Sequence, residues 1–196
     1  MGKIVASEII TPPAEEPVTL AEIKAHLRIL HDSEDAKITA FAKAARAHAE
    51  KILSRALISQ SHRVYLARWP ADGKIPLYMP PLISVAAVKY LDAAAVEQTL
   101  ASTEYHVVKN YFEPMIVRKS TATWPIIADH PQAIWVDYTC GFGTTPASVP
   151  EDIRNGLLML AEHFYFNRGE TSETNLVRNP VAVDALFGPH KTHGWI

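Results

Sequence analysis

Few side chains in this sequence stand at the spacings that chemistry needs, and each has a plainer structural use. Gly141-Phe142-Gly143 follows a predicted strand, where a glycine-rich turn can cradle phosphate with its backbone N–H groups. No Gly-Lys-Ser/Thr follows and proline interrupts before any helix, so the residues predict a tight exit turn with unusual backbone angles. Cys140 is the only cysteine. A thiol with a histidine as base is a possible nucleophile, but nothing around Cys140 forms such a context, and a lone cysteine at a strand end fits a small buried hydrophobe. Its solitude also excludes an internal disulfide framework. The nine histidines include no zinc pair: His26 and His31 are five residues apart, and His190 and His193 lack flanking cysteines or carboxylates. Glu15-Glu16 and Glu151-Asp152 are adjacent acids at helix starts, where the helix dipole explains them better than a pair of carboxylates across a substrate. No catalytic residue, cofactor or metal site is expected.

The elements around these residues fall into three patterns. From Pro17 to Leu57 the sequence reads as helical. Thr19 followed by Glu22 is a capping box opening a helix through Arg28, with Leu20, Ile23 and Leu27 on one face. Asp32 or Ser33 is placed to cap a second helix. Its stripe Ile38, Phe41, Ala42, Ala45, Ala49, Ile52 and Leu53 is alanine-rich and allows close approach of a partner. From Ser59 to Gly143 helical spacing gives way to short β-rich runs: Ser61–Trp69, Ile75–Met79, Val85–Leu91, Tyr105–Val108, Met115–Arg118 and Ile134–Thr139. Val149-Pro150-Glu151-Asp152 then starts a third helix, with Ile153, Leu157, Leu160, Ala161 and Phe164 as its inner stripe. Thr171 to Asn179 is polar and reads as a loop, and Asn179-Pro180 opens a short helix to about Phe187.

These patterns predict an α+β fold. Residues 17–58 and 144–189 form one helical bundle, residues 59–143 an inserted small antiparallel β-sheet or sandwich, and residues 1–16 and 190–196 terminal arms. With 196 residues the chain is long enough to bury a core without staples. The formal net charge of -2 carries no global basic footprint for nucleic acid. No stretch reaches the length of a membrane span, and the N-terminus lacks a signal-peptide pattern, so assembly in a cytosol is expected.

The aromatic run His163-Phe164-Tyr165-Phe166-Asn167-Arg168 carries two readings. Phe164 fits the core stripe, while Tyr165 and Phe166 point away from it on a helix. They either bury against the β-rich part or meet a neighbouring subunit, where aromatics and arginine are enriched.

Several stretches, in order along the chain, resemble phage head–tail connector (adaptor) proteins. The opening Pro17-Val18-Thr19-Leu20-Ala21-Glu22-Ile23-Lys24-Ala25-His26-Leu27-Arg28 is similar to that family's first helix. The following helix matches at Ile38, Ala44-Ala45-Arg46, Ala49-Glu50 and Arg55-Ala56-Leu57-Ile58-Ser59-Gln60. Tyr138-Thr139-Cys140-Gly141-Phe142-Gly143, then Val149-Pro150-Glu151-Asp152-Ile153, resembles its strand exit and third helix, and Ala161–Arg168 with Val183–Pro189 its closing helices. The resemblance is to the longer type with a β-insertion. Cys140 departs from it, standing where a small residue such as alanine is more usual.

The resemblance implies a structural virion subunit at the head–tail interface, assembled in the host bacterial cytoplasm. It implies a ring of copies, twelve-fold in the assembled particle, that binds the portal protein and the next head-completion or tail protein. Double-stranded DNA passes through without specific binding, and near-neutral charge suits such a channel. Arg46, Glu50 and Arg55 are expected on the exposed side of the bundle as ring contacts. Tyr165, Phe166 and Arg168 are expected at an interface, with Trp195 as an anchor in a partner pocket. The competing functions are a nucleic-acid-binding accessory protein and a Cys/His enzyme.

Overall fold

The computed structural model describes residues 4–167 and 181–192. The chain divides into two compact units interleaved in sequence. One comprises residues 1–13 and 59–142 and is built of strands; the other comprises residues 14–58 and 143–196 and is built of helices.

The helical unit starts with α1 (Leu20–Leu27), and the capping box is complete: Thr19 Oγ1 accepts from Glu22 N–H at 3.2 Å, and Glu22 accepts from Thr19 N–H at 2.7 Å. Arg28 takes the left-handed conformation (φ 57°) and ends the helix. The second helix, α2 (Asp35–Leu53), begins two to three residues after the expected caps. Asp32 is held instead by Lys24, and Ser33 Oγ lies 2.9 Å from His31 Nδ1, so Glu34 becomes the N-cap without a capping bond from its side chain. Ile38, Ala42, Ala45, Ala49 and Leu53 are buried, as the stripe predicts, with Phe41 and Ile52 half-buried at its margins. The third helix, α3 (Glu151–Phe166), buries Ile153, Leu157, Leu160 and Ala161, and α4 (Val181–Phe187) packs on it through Val183 and Phe187. Both α1 and α2 also pack against α3, so the terminal helices make one bundle.

The β unit holds two antiparallel sheets. Six of its strands lie close to where the sequence puts them: β2 (Gln60–Leu66), β3 (Lys74–Pro76), β4 (Leu82–Leu91), β6 (Tyr105–Val108), β7 (Met115–Arg118) and β8 (Ile134–Cys140). Two others, β1 (Ile4–Thr11) and β5 (Glu97–Thr99), are additional. The order is β1-β2-β8-β4-β5 in the five-stranded sheet and β3-β7-β6 in the three-stranded one. Residues 1–16 are therefore not simply an arm. Ile4–Thr11 pairs with β2 as an edge strand, with register shifts between Ile4 and Ala6 and between Ile9 and Thr11. Most of β1 is exposed, which is why no inward alternation marks it. In β2, Gln60, His62, Val64 and Leu66 face the core while Ser61, Arg63 and Tyr65 do not. Beside the second sheet Trp69 and Trp124 stack at 4.4 Å, each indole donating to a proline carbonyl, Pro125 at 2.9 Å and Pro70 at 3.2 Å. Gly141 leaves β8 at φ 125°, a conformation closed to most side chains, and donates to Pro81 O at 2.9 Å. The expected exit turn is there.

Candidate subunit and partner interfaces

The residues expected to meet other subunits begin with three charged side chains on and after α2. Arg46 lies between two carboxylates: its Nε donates to Glu16 at 2.7 Å and its Nη1 to Glu50 at 2.9 Å. Burial alone would lower the guanidinium's pKa, yet these two acids leave it raised. Glu50 is only 7% exposed and also accepts the buried N–H of Leu57 at 3.0 Å. Arg55 is fully buried and its Nε donates to His190 O at 2.5 Å. So Glu50 and Arg55 do not stand on an exposed side, and Arg46 is half-buried. Helical extrapolation fails here for a local reason. The helix stops at Leu53, Ser54 turns left-handed (φ 52°), and residues 55–58 run inward, with Ala56, Leu57 and Ile58 buried. On the other flank, Glu16 supplies a partner from the segment before α1.

The end of the helical unit is also used inside. His190 Nε2 lies 2.6 Å from Asp152, and Thr192 donates its N–H to Leu53 O at 3.1 Å. The start of the expected arm 190–196 is thus fastened to the bundle, and its removal would take the acceptor from Arg55. Arg154 completes this face: it donates to Pro17 O at 3.2 Å, to Glu151 at 2.7 Å and to Glu22. Burial works to raise the Glu22 carboxyl, but bonds from Thr19 and the Arg154 charge outweigh it and leave the pKa lowered.

The aromatic run divides three ways. Phe164 meets His48 edge-on at 6.1 Å, and Tyr165 meets Phe41 edge-on at 6.3 Å while its hydroxyl donates to Glu34. Phe166 is 66% exposed. Arg168, Trp195 and the polar stretch Thr171–Asn179 lie outside the described residues.

Two surface features of this unit escaped sequence reasoning. Beyond α1 the chain turns at Arg28, and Lys24 braces the turn by donating to Asp32 at 2.5 Å and Asp35 at 2.8 Å. Those bonds raise the Lys24 pKa, Asp32 first, and lower that of Asp32. On this braced turn Leu30 is 98% exposed. At the opposite end of α1 a groove of about 360 Å³ is lined by Glu15, Val18, Leu20, Thr39, Ala42 and Pro146. The one hint in the sequence is Ile29-Leu30, an apolar pair inside an otherwise polar turn.

On the outward side of the five-stranded sheet, Arg63 grips Asp137 with two bonds, 2.5 Å and 2.9 Å, and Tyr65 donates to Glu8 at 2.7 Å. The Asp137 carboxylate holds the Arg63 pKa up. Cys140 is fully buried, with Sγ 3.8 Å from Gln60 O, which gives a substrate no approach. His62 packs against Tyr138 at 5.8 Å, and burial lowers its imidazole pKa from the ordinary 6.5. The folded state keeps His62 neutral where the unfolded chain takes a proton. Its contribution is full above about pH 6.5 and is lost as pH falls toward the folded-state value. Stability of the β unit is expected to drop as pH falls below about 6.5, and His62→Phe to flatten that slope. An unchanged slope in denaturation of the variant would remove His62 as its source. Among the described residues no cluster of His, Cys, Asp or Glu is arranged to hold a metal ion, and no helix is long and apolar enough to cross a membrane.

The fold is mixed α+β, and its exposed apolar side chains include Leu30 and Phe166. The chain belongs to the family of Phage gp6-like head-tail connector proteins, which it matches over residues 17–116. It is a structural connector of a phage-type virion, placed where head and tail meet. Its fold is similar to a chain in the neck of an empty gene transfer agent (GTA) particle computed with C6 symmetry, at 26% identity and a TM-score of 0.82. It is also similar to one in the virion of the native particle, at 26% and 0.82, and to one in the native neck computed with C12 symmetry, at 26% and 0.80. In all three, 98% of this chain and 98% of the other are covered. No curated protein matches the chain.

Proposed function

We propose that the chain is one copy of a ring that joins the portal protein to the next head-completion or tail protein, works by contact without turnover, and lines a passage for double-stranded DNA. The observation that carries this is the end-to-end likeness to neck chains of gene transfer agent particles, computed with C6 and with C12 symmetry. A ring of twelve satisfies both. Such a ring needs two different faces on each copy, repeated by rotation until they close. Repetition makes contacts that are weak singly strong together. Charge supports the passage: Lys24, Arg46, Arg63, Lys89 and Arg154 are each paired with a carboxylate within the chain. The formal net charge of -2 adds no basic surplus to hold phosphates, so DNA slides without being gripped. Tyr165 and Phe166 are the aromatic side chains we place at a partner interface. Arg46, Glu50 and Arg55 act from within, by fixing the shape of the unit that makes the contacts.

The test is removal of the gene from a producing strain, followed by electron microscopy of the particles. Heads and tails are expected to accumulate unjoined, and supplying the chain in trans to restore joined particles. Intact tailed particles without it would overturn the reading.

A further inference from the structure

Isolated exposed leucines are ordinary; Leu30 is not an ordinary case. It projects with 98% exposure from a turn that two lysine–carboxylate bonds hold in place, so the side chain is presented and not merely left over. The same unit carries a groove of about 360 Å³ walled in part by Val18, Leu20, Ala42 and Pro146, with Glu15, Glu16 and two threonines also lining it, room enough for a leucine side chain and part of its backbone. The signs also match. Arg28, two residues before Leu30, is exposed, and Glu15 at the groove is exposed. Neither has an ion-pair partner among the described residues.

We propose that Leu30 of one copy seats in the groove of the next, with Arg28 facing Glu15, and that this is the repeated contact of the ring; it rests on the connector-ring reading above. The groove opens at the N-terminal end of α1, beside Leu20, and Leu30 stands beyond its C-terminal end. Knob and hole are therefore different patches of a single copy. A contact of that kind is head-to-tail; it leaves one knob and one groove unfilled in any open chain and is satisfied throughout only when a rotation closes it. A two-fold pair does not need that arrangement.

The experiment places Leu30→Cys and Thr39→Cys in the same chain, supplied in trans to the gene-deleted producing strain. Purified particles are oxidised with diamide and run on non-reducing gels. A ladder of covalent multimers is expected from the double variant and none from either single variant. Particles that contain the double variant and yield only monomer would overturn the knob-and-groove contact and leave the connector reading standing. Absence of the wild-type chain from purified particles would overturn both. Charge reversal gives a second readout that does not depend on cysteine. Arg28→Glu and Glu15→Arg should each lower incorporation into particles about tenfold, and their combination should restore it to within about twofold of wild type. Single reversals without effect, or a combination that does not restore, would overturn the proposal even if the cysteine pair fails to assemble.

Discussion

Replacing Glu50 with alanine should cost the helical unit about 3–5 kcal/mol, the range for removing one partner of a buried ion pair. Arg46 and the buried Leu57 N–H both depend on this carboxylate. Arg46 loses one of its two acids, the Glu16 partner has to hold the guanidinium alone, and the buried Leu57 N–H loses its acceptor. The side chains of Glu50 and Arg46 are 9% and 17% exposed, so water replaces little of what is lost. Glu50→Gln separates the two contributions. An amide oxygen can still accept from Leu57, so this variant should lose about 1–3 kcal/mol, mainly from the charge. Chemical denaturation followed by helical circular dichroism measures both. A loss below about 1 kcal/mol for Glu50→Ala would show that the unit relaxes around the site and that Glu50 does not hold residues 55–58 in place.

The second large effect is expected at Gly156 and Phe187. Glycine in the middle of a helix costs about 1 kcal/mol relative to alanine, so Gly156→Ala would stabilise α3 if the helix stood alone. It does not stand alone. A Cβ at residue 156 would lie 2.4 Å from Phe187 Cε1, with Cζ and Cδ1 at 3.0 and 3.1 Å. Phe187 is fully buried and cannot swing into solvent. Gly156→Ala is therefore expected to lose about 1–3 kcal/mol by overpacking, and Phe187→Ala about 3–5 kcal/mol by leaving a cavity. The two changes should not add: in a Phe187→Leu background, Gly156→Ala should be neutral or stabilising, because the ring that opposes it is gone. A wild-type chain stabilised by Gly156→Ala would mean that α4 does not press its ring into α3 in solution.

How much of this was legible in the sequence follows from how local each cause is. The start of α1 was readable because Thr19 and Glu22 satisfy one another within a single turn. The stripes of α2 and α3 were readable because burial repeats at the helical period. The start of α2 was misplaced because Lys24, eight residues earlier, takes Asp32 away from capping. Strand β1 was missed because an edge strand exposed along most of its length shows no alternation, and β5 because Glu97-Gln98-Thr99 is short and fully exposed. Among the interface candidates, exposure of Phe166 could be inferred from its helix position. Burial of Glu50 and Arg55 could not, since it depends on Glu16, the left-handed Ser54 and His190, which periodicity does not bring together. Leu30 and its matching groove involve two ends of α1 and a residue after β8, Pro146, so no window of sequence contains them.

The two units are threaded through one another along the chain: β1 comes before the first helices, and the helical unit closes only with α3 and α4, after β8. During synthesis β1 has to wait for β2, and β2 for β8 about seventy residues later, the pattern of long loop closures that slows folding. The first two helices wait still longer for α3. A polypeptide cut short before Phe166 therefore completes neither the bundle nor its packing on α4. Prematurely terminated products thus lack the completed helical unit.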